Sequence, residues 1–146
     1  MDRYGEREAI LVAAVAVLAE EGIGALNAAT DETSLERLRH GFVLYREWSL
    51  EYTTHDVLMF AASATGYEPG EAGWADADGS SDDLRDRVTA AVVSRELTRV
   101  PPDAALHPWS TAHGYVMLEI AGPGKQHDDP RVLYCAGIDA LLGTYR

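Results

Sequence analysis

The chain has a single cysteine, Cys135, in 146 residues, which excludes an internal disulfide and any cysteine-rich zinc site. Cys135 is therefore expected to behave as a small buried hydrophobe. Long hydrophobic runs are also missing. The stretch from Ala9 to Ala19 comes nearest, but it falls short of the roughly 18 to 20 residues that span a bilayer, and Glu6, Glu8, Glu20 and Glu21 flank it. With no basic leader and no small-residue cleavage site after it, a secretory signal is a poor reading. A cytoplasmic protein without a membrane partner is expected. Positive charge is scarce: 12 basic residues face 24 acidic ones, for a net charge of -12. Nucleic-acid binding needs a basic face that neutralises phosphates, so this balance disfavours DNA as a partner for the chain alone.

Catalytic signatures are missing as well. There is no glycine-rich phosphate loop, no G-x-S-x-G turn and no Cys-His signature. His40, His55, His107, His113 and His127 are scattered without an i, i+4 pair or an H-E-x-x-H arrangement, so no metal is expected. The acid pairs Asp82-Asp83 and Asp128-Asp129 fit helix starts better than catalysis. No cofactor and no enzyme activity are expected. A small helical-bundle enzyme or carrier working from His113 and Tyr115 would lack a second convergent acid or base.

What is present is helical periodicity, and no segment shows the sustained alternation of a strand, so the fold is expected to be all-α. A first helix is expected from Glu6 to Glu21, stopped by Gly22. Thr33 and Glu36 have the spacing of a capping box, opening a second helix with Leu35, Leu38, Phe42, Tyr45, Ser49 and Tyr52 along one stripe. A short helix is expected over Thr54 to Ala64, then a Gly- and Asp-rich loop from Tyr67 to Gly79. Ser80 or Ser81 with Asp82 and Asp83 reads as the cap of a helix to Arg99, ended by Pro101 and Pro102. The next helix starts after Asp103, or after His107 with Pro108 at the first helical position, the alternative being a kink near Pro108, and it stops at Gly122. Asp129-Pro130 starts the last helix, in which Leu133, Tyr134, Ile138, Leu141, Leu142 and Tyr145 recur at helical spacing.

The helix through Trp109, His113 and Gly122 contains Gly114 at its centre. A mid-helix glycine costs about 1 kcal/mol against alanine, so close approach of another backbone or a ligand is the expected compensation. Aromatic and sulfur-bearing side chains on neighbouring helices, including Phe42, Tyr45, Trp48, Phe60, Trp109, Tyr115 and Met117, are each best explained singly as core. Together with polar tips at Tyr45, His113 and Tyr115 they also suit a small-molecule pocket, which is mostly apolar with a few hydrogen-bonding groups.

The chain from about Ser34 onward resembles the C-terminal regulatory domain of the tetracycline-repressor-like (TetR/AcrR) transcription regulators, in the subgroup marked by a Trp and then His-Gly. The resemblance rests on Leu35-Glu36-Arg37-Leu38 with aromatics at Phe42, Tyr45 and Trp48, and on Val57-Leu58-Met59-Phe60. It continues through the acidic loop, the Leu84 to Leu97 helix, Trp109 with His113-Gly114, Leu118-Glu119, Ala121-Gly122 and Ile138 to Leu142. Residues Arg7 to Leu26 resemble the first helix of that family's DNA-binding domain, but the helix-turn-helix that should follow is missing, and groove reading requires it. The resemblance thus divides the chain into a remnant, 1–30, and a regulatory domain, 31–146.

The resemblance implies an effector-binding and dimerisation domain unable to bind DNA alone; the alternative is a complete regulator with a degenerate helix-turn-helix. It implies a homodimer, or a heterodimer with a full-length relative, and a small apolar or aromatic effector. By the same resemblance Phe42, Tyr45, Phe60, Val92, Trp109, His113 and Met117 would line the pocket. Gly114, Leu118, Gly137, Ile138, Leu141, Leu142 and Tyr145 would form the dimer interface.

Overall fold

The computed structural model describes residues 32–54, 71–100, 103–104, 106–126 and 128–146, with the backbone alone for 72–81 and 125. The expected first helix and the expected helix over Thr54 to Ala64, with Phe60, lie outside them but for its opening residue. The described residues form four α-helices and no strand: α1 (Ser34–Glu51), α2 (Glu71–Val93), α3 (Leu106–Ala121) and α4 (Pro130–Gly143), with a 3-10 turn at Pro123–Gln126 between the last two. The all-α expectation holds.

Local chemistry explains most of the boundaries. Thr33 accepts from the Glu36 backbone N–H at 3.2 Å while the Glu36 carboxylate accepts from Thr33 N–H at 2.8 Å, the reciprocal bonds of a capping box. Asp103 Oδ1 accepts from Leu106 N–H at 2.8 Å, so α3 starts just after Asp103 and Pro108 lies within its first turn, where a missing N–H is harmless. Gly122, at φ +112°, takes the left-handed conformation that ends α3. Asp129 caps α4 by accepting from Val132 N–H at 3.1 Å, ahead of Pro130.

α2 departs from expectation at both ends. Helix already runs through 71–81, where a loop and then a Ser80 or Ser81 cap were expected. Pro69 lies before this segment, Ala72, Ala75 and Ala77 are strong helix formers, and Glu71 in the first turn complements the helix dipole. These offset Gly73 and Gly79, each worth about 1 kcal/mol against helix. Asp82 and Asp83 are thus not caps but intrahelical partners, of Arg85 at 3.0 Å and Arg87 at 2.7 Å. At the other end α2 stops at Val93 rather than Arg99. Arg95 turns left-handed at φ 61°, and Arg95 N–H and Glu96 N–H bond back to the Val92 and Ala91 carbonyls at 3.0 Å each, a Schellman closure without glycine.

The core is built from one stripe of each helix: Leu35, Leu38 and Phe42 of α1, Val88 and Ala91 of α2, Ala112 and Val116 of α3, and Tyr134, Ile138 and Leu142 of α4. Leu97, in the connection after α2, and Tyr145, just past the end of α4, close it. Each large aliphatic side chain in this set contributes about 1.5 to 3 kcal/mol by leaving water. α1 packs on α2, α3 and α4, and α3 on α4, so α1 and α3 are the two walls that face each other where the aromatic residues lie.

Candidate functional site

α1 brings Tyr45 toward α3, whose helical spacing stacks Trp109 and His113 one turn apart. Tyr45 Oη and His113 Nδ1 share a hydrogen bond of 2.8 Å, and the Trp109 and His113 rings lie nearly parallel, 15° apart with centroids at 4.7 Å. All three are half-buried. The result is a stacked Trp-His pair with the Tyr45 hydroxyl bonded at its edge, at the boundary of the core. Met117, one turn beyond His113, is half-buried too, while Phe42 is buried in the core and Val92 packs against it. Phe60 falls outside the described residues.

Beside this cluster lies a feature that sequence reasoning missed. Arg46 Nε donates to Glu119 Oε2 at 2.9 Å and Arg46 Nη2 to Glu119 Oε1 at 2.7 Å, a two-pronged pair between α1 and α3 with both residues buried. The guanidinium carbon lies 5.9 Å from the Tyr134 ring centroid, and Tyr134 Oη donates to the Phe42 carbonyl at 2.6 Å. Burial pushes the Tyr134 hydroxyl well above its ordinary value. A signal was present: Arg46 is one turn from Phe42 and Glu119 one turn from Val116, so opposite charges occupy two apolar stripes. An isolated buried charge is so costly that such a pair implies mutual contact.

The residues expected at a dimer interface divide by exposure. Leu118 is 56% exposed, Gly114 faces open space and Leu141 is half-buried. Ile138, Leu142 and Tyr145 are buried in this chain's own core. Gly137 is covered by the Tyr115 ring, which occupies the space a Cβ there would need. Tyr145 also bonds through its hydroxyl to His107 Nδ1, and its carbonyl accepts from Thr98 N–H at 2.7 Å and Arg99 N–H at 3.0 Å. It thereby ties the end of α4 to the connection between α2 and α3.

A cavity of about 210 Å³ opens at the opposite end of α3. Its walls are Tyr115, Leu118 and Glu119 of α3, Pro123 and Gly124 of the 3-10 turn, and Pro130, Leu133 and Tyr134 of α4. Of the described residues that the resemblance assigns to an effector pocket none takes part in it, although Tyr115, one of the polar tips suited to a pocket, does. Gly124 is required there, since a Cβ would lie 2.8 Å from Glu119 Cα.

Among the described residues no group of His, Cys, Asp or Glu is placed to hold a metal ion, and no helix is long and apolar enough to cross a membrane. Capped helices, a shared apolar core and a half-buried Tyr-His-Trp cluster between two of them define an all-α bundle among the described residues. Residues 38–141 match the family model of the tetracyclin repressor-like C-terminal domain, most of the chain, and the chain belongs to that family. Comparison with curated proteins and with solved structures gave no match.

Proposed function

We propose that residues 31–146 form the effector-binding and dimerisation domain of a transcription regulator, and that this chain does not bind DNA alone. The observation that supports the effector site most is the Tyr45–His113–Trp109 cluster, an aromatic face with a hydrogen-bonded polar edge. Such a surface suits a flat apolar or aromatic molecule with one or two polar groups. Phe42, Val92 and Met117, with Phe60, are the further wall residues of this reading, and it needs no cofactor and no catalytic step. The net charge of -12 supports the absence of DNA binding.

The proposed dimer face is the outward side of α3 and α4, with Gly114 and Leu118 in contact and Leu141 at its edge. In this arrangement Gly137, Ile138, Leu142 and Tyr145 support the face from beneath. Either a second copy or a full-length relative fits it.

Native mass spectrometry of the purified protein tests the effector site. A copurifying small molecule should be lost in Trp109→Ala and His113→Ala, with helicity unchanged by circular dichroism. An adduct retained by both variants, or no saturable small-molecule ligand at all, overturns the site. Leu118→Glu should yield monomer by light scattering, and an unchanged dimer removes α3 from the interface. Fluorescence anisotropy with a generic DNA duplex at low salt should show no binding; saturable binding by this chain would instead favour a complete regulator.

A further inference from the structure

The cavity between α3, the 3-10 turn and α4 is separate from the Tyr45–His113–Trp109 cluster and does not depend on it. We propose that it is a second small-molecule site, and that its ligand is a single neutral apolar ring of about benzene size. Three observations carry this. First, the volume of about 210 Å³ exceeds the roughly 150 Å³ at which an apolar protein cavity takes up benzene. Second, the walls are apolar or aromatic: Leu118, Leu133, Pro123 and the rings of Tyr115 and Tyr134, which stand edge to face with an interplanar angle of 83° and centroids 6.1 Å apart. Third, the polar groups of two wall residues are already bound elsewhere. The Glu119 carboxylate is held by Arg46, and Tyr134 Oη donates to the Phe42 carbonyl.

An occupant therefore meets no ionic partner in need of one, and a carboxylate on the ring would lose its water with no free cation among these walls to replace it. This favours benzene over benzoate. The two tyrosine rings offer the tilted geometry that aromatic pairs favour over face-to-face stacking, so a third ring can extend the arrangement.

The test uses the full chain and benzene itself. In two-dimensional NMR, benzene should shift the Tyr115 and Tyr134 ring signals saturably and show intermolecular NOEs to the Leu133 methyl groups. Leu133→Trp, which fills the cavity, should weaken that binding at least about tenfold. His113→Ala should leave it unchanged, which separates this site from the proposed effector site. The wild-type NOEs locate the ligand even if Leu133→Trp does not fold. NOEs to Trp109 alone, no saturable binding, NOEs to Leu133 from a second copy's side chain in place of benzene, or benzoate binding as tightly as benzene would each overturn the proposal.

Discussion

The Tyr115 ring lies against Gly137, where any larger residue would begin its side chain. α3 and α4 therefore approach within one chain because position 137 has no Cβ. Gly137→Ala forces the ring or the helix to move, and should destabilise the fold by about 1 to 3 kcal/mol in urea denaturation. Tyr115→Ala costs stability on its own but clears the space. The double variant should therefore be less destabilised than the sum of the singles, and strict additivity would disprove the contact.

Arg46 and Glu119 should be intolerant of single changes. Arg46→Met or Glu119→Leu leaves a buried charge alone and should cost about 3 to 5 kcal/mol, whereas changing both together should recover much of the loss. Chemical denaturation of the three variants measures this directly. A double variant as unstable as either single would mean that packing, not charge, dominates here.

How far these features can be read in the sequence depends on their range. Thr33 with Glu36, Asp129 with Pro130, and Gly122 are legible because each capping bond spans only a few residues and the residue types are selective for it. The first turns of α2 are not: Gly73, Gly79 and the Asp residues have loop-like composition, and the alanines between them decide for helix only as a sum. Tyr45 and His113 are recognisable singly as polar tips on apolar stripes, but their bond joins residues 68 positions apart, so helix packing rather than local spacing creates it. Arg46–Glu119, 73 positions apart, is hidden for the same reason.

Arg95 is a site for stabilisation. Its left-handed backbone costs a side-chain-bearing residue roughly 1 kcal/mol that glycine avoids. Arg95→Gly should raise the thermal midpoint, because the closing bonds of Glu96 and Leu97 N–H to the Ala91 carbonyl do not need the arginine side chain. A lower midpoint would show that the side chain itself contributes.

Acid should loosen the bundle through two carboxylates. Ser94 and Thr33 hydrogen bonds hold Glu96 below its ordinary value of 4.5, and the Arg39 guanidinium, bonded at 2.5 Å, holds Asp139 below 3.8. Both pKa values are depressed by folding, so their stabilisation is present above the unfolded values and is lost as pH falls through the folded ones. Glu96→Gln and Asp139→Asn should each flatten the decline in stability below about pH 4.5. Denaturation midpoints between pH 6 and pH 2 that fall as steeply as in the unmodified protein would refute the assignment.

The paired prongs of Arg46 on Glu119 also have a mechanical meaning. A slide of α1 along α3 by one helical turn, about 5.4 Å, would separate both bonds at once and leave two charges in the core. Small displacements are resisted and large ones are penalised abruptly, so the pair behaves as a latch rather than a spring. The pair thus fixes the register of α1 against α3 beside the Tyr45–His113 contact.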